Sequence, residues 1–474
     1  MSFPSFREAF QRLEALGKVL RVDEEVSADF EAPLLVREVS RRVGKAVLLT
    51  RVRGKEASLV SGIYFGKSPR DLGLGSLEEL CQRYSSWVSL FDKLPMDASD
   101  RLTVLASVSW IAERFPRVVQ FPSSEYEVKQ GYDLDLTSFP AIRHSPREEA
   151  PSVVNPVIVI RLPQLKNFIA VSHPVEVVDE KTMLIAAPAR SPLHDVLSEA
   201  AATRSRVSAE VVIGAPPPAQ LASAIEWVVP ADTFTFMGVL AGSPVILAKT
   251  EEELPVLLGS EVVLLGEIEP GDSRPGGRLL QEDGYLAEEV ALPVFKPRKA
   301  LIRRKALFYT SIVSRVFSDT VQISKWRDKL LLVYLQRLSP VVKNVRVLPE
   351  TAFRAIAVAV KRSSTRDLLR LGMHILSMRV SSRLNTVIFV DEDVDVDSPA
   401  SVLSSIIRYA DPERGVYRLS HSQGKESPQE EAEVIIFATS FSGEHLAERP
   451  EDEVVRRVEN LIKRLLSESR VEKI

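Results

Sequence analysis

Cysteine is nearly absent from this chain of 474 residues, where Cys81 is the only one. A single thiol excludes an intramolecular disulfide and a cysteine-based zinc site within one chain, and it suits a reducing compartment. On its own it reads as a small buried hydrophobe. Histidine is scarce as well. The six at positions 144, 173, 194, 374, 421 and 445 show no His-x3-His or His-Cys pairing, so nothing points to a histidine-rich metal site. Excess charge of one sign is also missing. Lys and Arg number 61 against 64 Asp and Glu, a formal net charge of −3, so no overall basic field draws the chain to nucleic acid or to anionic membranes. No uncharged apolar run reaches membrane-spanning length, and the opening MSFPSFREAFQRLEAL carries an acid where a secretory signal needs a basic and then an apolar segment. The expectation is a cytoplasmic protein without a membrane span. Neither a G-x-x-x-x-G-K-[ST] loop nor a G-x-S-x-G elbow occurs.

What the chain does have is hydrophobic content, 45% of its residues, enough at this length for two or three domains with real cores. FREAFQRLEALGKVLRV predicts a helix stopped at Gly17 and then a strand; APLLVREVSRRV and AVLLTRV predict a second helix and strand, and SLEELCQRYSSWVSLF a further helix. From about 120 to 300 the pattern becomes short Val- and Ile-rich runs punctuated by Pro and Gly: NPVIVIRLP, NFIAVSHPVEV, SAEVVIG, GSPVILAK, SEVVLLGEI and KALIRRKALFYTSI. These predict a sheet or barrel. DKLLLVYLQRLSPVV predicts a helix, and the region from NVRVLPETAFRAIAVAVKR to NTVIFVDEDVDV two strands, a helix and a strand. The polar run SHSQGKESPQEEAE at 420–433 reads as an exposed loop, and EDEVVRRVENLIKRLL as a terminal helix whose apolar stripe should pack on a neighbour or a partner subunit.

Two charged stretches invite function and are better read as surface. DEDVDVD at 391–397 has alternating acids, but Val396 stands where a calcium loop turns on Gly and no acid follows at the twelfth position. KPRKALIRRK at 296–305 is locally basic yet lacks the aromatic set that stacks bases, so a solvated strand face is the simpler reading.

Five segments, taken in order, resemble the UbiD family of decarboxylases: FREAFQRLEALGKVLRVDEEVSADFEAPLLVREV, DLTSFPAIRHSPREEAPSVVNPVIVI, EVVIGAPPPAQLASAIEW, GSPVILAKTEEELPVLLGSEVVLLGEIEPGD and VIFVDEDVDVDSP. The resemblance covers nearly the whole chain. It implies an α+β multi-domain fold: an α/β N-terminal domain (1–115), a central split β-barrel of flavin-reductase type (116–310), a linker helix (311–345) and a C-terminal α/β oligomerisation domain (346–474). It also implies prenylated FMN, made by a separate flavin prenyltransferase, and a divalent metal (Mn or Mg) that anchors the cofactor phosphate. The substrate class is a small α,β-unsaturated or aromatic carboxylic acid that loses CO2. A homo-oligomer is implied, with no nucleic acid and no membrane as partner.

Carried over residue by residue, the resemblance gives an incomplete site. The family's Asn-x-x-x-x-Arg stretch falls on Asn167 to Ser172: Asn167 would hold metal and cofactor, and Ser172 replaces the Arg. Arg190 falls where a basic residue covers the cofactor phosphate, a role suited to a fork of donors. The metal-ligating Glu falls on Thr250, and a shift of one residue makes it Glu251. In GDSRPGGRLLQEDGY (271–285) the gapless match puts Gly276 and Gln281 at the family's two acids. One deletion before Gly284 and Tyr285 makes Glu282 the proton donor, and two make it Asp283. Gln281 has no titratable proton, whereas a desolvated Glu can hold one near neutral pH. The competing reading is that Glu282 and Asp283 are solvated turn acids. The expectation is therefore a divergent decarboxylase using Glu282, or else a non-catalytic UbiD-like subunit that partners an active paralogue.

Overall fold

In the computed structural model the described residues are 3–90, 98–161, 168–226, 232–250, 254–281, 283–287, 290–378, 380–419, 432–440, 454, 456–458, 460 and 461. Helix α1 (Phe6–Ala15) starts at a reciprocal cap between Ser5 and Glu8 and buries Phe6, Ala9, Phe10 and Leu13 along one stripe. Strand β1 (Val19–Val26), helix α2 (Glu31–Val43) and strand β2 (Ala46–Val52) form a crossover in which the two strands run parallel. Gly44, at φ 64, takes the left-handed conformation that stops α2. Strand β3 (Ser58–Ser61) adds antiparallel to β2. Helices α3 (Leu77–Val88), α4 (Ala98–Ser107) and α5 (Ser109–Ala112) follow, α3 burying Leu80, Tyr84, Trp87 and Val88.

Next come β4 (Arg117–Gln120), β5 (Tyr126–Gln130), β6 (Ser152–Val153), β7 (Val157–Arg161), β8 (Phe168–Val171), β9 (Val175–Asp179) and β10 (Thr182–Ile185). Helix α6 (Pro192–Thr203) leads to β11 (Val207–Ile213), and helices α7 (Pro217–Ser223) and α8 (Thr233–Ala241) to β12 (Ile246–Lys249), β13 (Val256–Leu257), β14 (Val262–Pro275), β15 (Ala291–Arg303) and β16 (Leu307–Tyr309). Nine of these strands share a sheet in the order β6-β9-β10-β15-β14-β11-β7-β8, with β5 on β15. The expected split barrel is, by its pairing among the described residues, an open path. It must nonetheless curl, because only three residues, Ser172 to Pro174, connect β8 at one end to β9 beside the other, and three residues span only about 10 Å. Strand β12, expected with the central strands, instead joins β4 and β13 in a small sheet of its own, and β16 returns to pair parallel with β3.

Three helices interrupt a region that reads as strands. Every side chain of α7 and α8 is buried, so neither carries the polar face by which helical periodicity is recognised.

Helix α9 (Asp319–Leu338) begins nine residues before the stretch that predicts it, on a Ser318 cap. Its first residue explains the early start. The buried Asp319 carboxylate accepts from the backbone N–H groups of Gly62 (3.0 Å), Ile63 (3.2 Å), Tyr64 (2.7 Å) and Phe65 (2.8 Å) and from the Tyr309 hydroxyl (3.1 Å), which fastens α9 to the N-terminal part. The rest is a five-stranded sheet in the order β17-β18-β19-β21-β20, built from β17 (Val342–Val347), β18 (Ala355–Val360), β19 (Thr386–Asp391), β20 (Val416–Leu419) and β21 (Glu433–Ala438), with α10 (Thr365–Ser377) and α11 (Pro399–Tyr409). Glu433, expected at the end of a loop, instead opens β21 and is buried; residues 420–431 lie outside the described residues. The described part of the terminal helix leaves Val454, Val458 and Leu461 exposed.

Candidate functional site

A cavity of about 140 Å³ lies where the curled sheet, α7, α9 and the C-terminal sheet meet. The turn from β8 to β9 supplies Ser172 and His173, α7 supplies Gln220, α9 supplies Arg327, and the segment before β19 supplies Arg383. Gln220 Nε2 donates to Ser172 Oγ at 3.2 Å, while its Oε1 is buried without a hydrogen-bond partner among the described residues. His173 Nε2 lies 3.8 Å from Glu226 Oε1. Burial first, and the Arg383 charge second, push His173 down to about 4. The imidazole is therefore neutral at pH 7 and this contact is not an ion pair. The Arg327 guanidinium sits over the Phe353 ring at 5.9 Å with Nη2 3.5 Å from Asp328 Oδ1, and its buried Nε makes no hydrogen bond among the described residues. Asn155 Oδ1 accepts from Thr320 Oγ1 at 3.1 Å and ties the approach to β7 to α9. Two guanidinium groups, a neutral imidazole and unfilled polar valences suit an anionic, hydrogen-bonding group such as a phosphate or carboxylate.

A second cluster surrounds the segment after β14. Leu280 N–H donates to Glu148 Oε1 at 2.9 Å, while Glu148 Oε2 accepts from the N–H groups of His144 (2.5 Å) and Ser145 (3.0 Å). Gly277 N–H donates to Glu176 Oε2 at 2.7 Å. His144 Nε2 accepts from Val313 N–H at 3.0 Å, which leaves its proton on Nδ1, 3.7 Å from Glu148 Oε2. Gln281 and Gly284 close a turn through Gln281 N–H to Tyr285 O (2.8 Å) and Gly284 N–H to Gln281 O (2.9 Å), and Arg315 donates to the Asp283 carbonyl. Burial acts to raise Glu148, but contact with His144 and its N–H donors outweighs it, and the carboxyl titrates below its usual range. Glu176 has one N–H donor and two acid neighbours, so burial pushes it up to about 7, with Glu149 and Glu148 adding to the rise against Gly277.

Of the site residues expected from sequence, Asn167, Glu251 and Glu282 lie outside the described residues. Arg190, in the left-handed region at φ 74, reaches into the C-terminal part: it donates to Leu376 O (2.7 Å) and Leu384 O (3.3 Å) and pairs with Glu433 Oε1 at 2.7 Å. A phosphate contact would have it share or exchange these partners. Ser172 lines the cavity, and Gln281 closes its turn through the backbone. Among the described residues no three His, Cys, Asp or Glu side chains gather as a metal site. The basic run at 296–305 is neutralised in part, with Lys296 on Asp272 (2.7 Å), Arg298 on Glu267 (3.3 Å) and Arg303 on Glu125 (3.4 Å). Sequence reasoning passed over Arg327, Arg383, Gln220, Glu148 and Glu176. No local signal marked the last: in the alternation Val175-Glu176-Val177 a half-buried strand would turn the Glu to solvent, and its burial comes from the tertiary packing.

Comparison with known proteins fits this arrangement. Three models of 3-octaprenyl-4-hydroxybenzoate carboxy-lyase match in succession: the N-terminal domain over residues 10–80, the Rift-related domain over 117–316 and the C-terminal domain over 323–428. An uncharacterized protein of Aeropyrum pernix is 23% identical, covering 96% of this chain and 97% of its own. Among solved structures, vanillic acid decarboxylase of Sedimentibacter hydroxybenzoicus in its closed form superposes with a TM-score of 0.78 at 20% identity, covering 98% of this chain and 100% of that one. An evolved dimeric form of the UbiD-class enzyme HmfF from Pelotomaculum thermopropionicum, in complex with prFMN, superposes at 0.74 and 20% identity, covering 95% and 98%. With its three domain models matched in order and both superpositions spanning nearly the whole fold, the chain belongs to the UbiD family.

Proposed function

We propose that the protein is a prFMN-dependent decarboxylase acting on an aromatic or α,β-unsaturated carboxylic acid. The observation that carries this reading is the cavity at the junction of sheet, α9 and C-terminal part, where Arg327, Arg383 and the unfilled valences of Gln220 and His173 converge. These residues fit the anionic end of a flavin, with Arg190 nearby to add a charge. A volume of about 140 Å³ takes a phosphate-sized group, whereas pockets that bury drug-sized ligands run to roughly 300–1,000 Å³. Prenylated FMN held there would supply an electron sink for the pair left as the carbon–carboxylate bond breaks. The chain's part is to hold the acid, exclude water and deliver a proton from Glu282 to the carbon that loses CO2. The divalent metal, held by Asn167 and Glu251, rests on the family resemblance.

The second reading is a non-catalytic UbiD-like subunit. It is favoured by Ser172, which takes a neutral hydrogen bond from Gln220 where the family's network places an Arg. In either case a homo-oligomer in the cytoplasm is proposed, supported by the exposed stripe of Val454, Val458 and Leu461. Co-expression with a flavin prenyltransferase, followed by the absorption spectrum and mass of the bound ligand, tests the cofactor. Exchange of deuterium or release of CO2 from a panel of acids then tests catalysis. Protein that purifies without flavin after such co-expression would exclude the decarboxylase reading.

A further inference from the structure

The segment 276–281 lies against two buried carboxylates that no domain match or neighbour assigns a role. Glu176 stands on β9, and Glu148 follows the turn that opens with His144. The segment also pairs with the chain that follows it, through Gly276 N–H on Val290 O (2.9 Å), Ala287 N–H on Leu279 O (2.7 Å) and Gln281 N–H on Tyr285 O (2.8 Å), and the two acids tie this local hairpin to the rest of the fold. Gly276 and Gly277 come close because they lack side chains: a Cβ on Gly276 would fall 2.7 Å from Leu292 Cγ, and one on Gly277 would fall 3.2 Å from Glu176 Oε2. The backbone then meets the acids directly, through Gly277 N–H on Glu176 and Leu280 N–H on Glu148. Glu148 joins this segment to two others, since its second oxygen takes the His144 and Ser145 N–H groups and His144 in turn receives Val313 N–H from the approach to α9. The same stretch before α9 reaches back through Arg315 to the Asp283 carbonyl.

We propose that Glu148 and Glu176 are positioning residues that clamp the segment 276–281, setting the backbone that leads to the proposed proton donor and coupling it to the segment that enters α9. This inference rests on the proposed decarboxylase reading for its catalytic meaning, but the clamp itself does not. The two acids work differently. Glu148 spends both oxygens on three N–H donors, so an amide in its place turns an NH2 against at least one of them. Glu176 spends one oxygen, and its Oε1 is buried without a hydrogen-bond partner among the described residues. An amide there keeps the bond and removes a buried charge.

The test is hydrogen exchange of the peptide spanning 276–287 in the wild type and in Glu148→Gln, Glu176→Gln, Glu148→Ala and Glu176→Ala. Both alanine variants should exchange roughly tenfold faster or more in this peptide, with β11 and β14 unchanged. Glu148→Gln should behave like Glu148→Ala, whereas Glu176→Gln should keep wild-type protection. The two glutamine variants decide the matter by themselves if an alanine variant fails to fold. Equal protection in all variants, or equal loss in both glutamine variants, overturns the clamp. If the two glutamine variants show the asymmetry but the wild-type protein neither binds prFMN nor releases CO2, the clamp stands and only the decarboxylase reading is refuted.

Discussion

Replacing Asp319 by Asn tests how the cavity wall is held. The side chain keeps its shape but loses one acceptor oxygen and gains two N–H groups. In the native carboxylate Oδ1 serves Tyr64 and Phe65, and Oδ2 serves Gly62, Ile63 and the Tyr309 hydroxyl. Whichever way the amide turns, two buried backbone N–H groups face a donor. At about 1–3 kcal/mol for each unsatisfied buried group, the substitution should cost roughly 2–6 kcal/mol. That is a large share of a domain stability of about 5–15 kcal/mol. The loss should be local first, because the bonds join the 62–65 turn to the start of α9, which carries Thr320, Ile323, Ser324 and Arg327 into the cavity. Urea unfolding followed by far-ultraviolet circular dichroism gives the midpoint, and hydrogen exchange at 62–65 gives the locality. With several domains unfolding, the two readouts are compared without assuming a two-state transition. An Asp319→Asn midpoint shifted by less than about 1 kcal/mol equivalent, with unchanged exchange at Gly62 to Phe65, would refute the reasoning.

Four further outcomes follow from the same geometry. His173 is held neutral with its pKa lowered to about 4, so it contributes stability above the unfolded value of 6.5 that is lost as pH falls toward 4. A shift of that size is worth roughly 3 kcal/mol; His173→Gln should flatten the fall in melting temperature between pH 6.5 and 4, and an unchanged slope would count against it. Glu176 is raised to about 7, so its stabilising proton is fully present below pH 4.5 and lost as pH rises through 7. Glu176→Gln should therefore melt higher than wild type at pH 8 and level with it near pH 4.5, and a reversed order would show that the charge is stabilised. Arg190→Ala removes the Glu433 pair and two carbonyl contacts, of which the half-exposed side chain retains about 1–3 kcal/mol; it should weaken flavin retention, and retention equal to wild type would remove Arg190 from cofactor binding. Gly276→Ala drives a methyl into Leu292 and should cost about 1–3 kcal/mol while loosening 276–281, whereas unaltered melting and exchange would mean the loop yields freely.

Much of the frame is readable from residues alone because it follows local rules. The caps at Ser5 and Ser76, the stop at Gly44 and the alternation of helix and strand before residue 90 depend on near neighbours in the chain. The ordered segments from FREAFQRLEAL to VIFVDEDVDVDSP were enough to indicate the family. What near neighbours could not disclose is anything made by distant ones. Helices α7 and α8 are buried on all sides, so no polar stripe announces them. Strand β16 joins a sheet whose other members lie some 250 positions earlier, a pairing that no local pattern encodes. The cavity gathers Ser172, Gln220, Arg327 and Arg383 from four separate elements, and the grip on 276–281 comes from acids more than 100 positions away. An Arg or Glu reads the same in a sequence whether it is solvated or buried. Only the folding of those elements against one another removes the water, and it is desolvation beside particular partners that makes His173 neutral, lifts Glu176 to about 7 and leaves Arg327 with valence to offer.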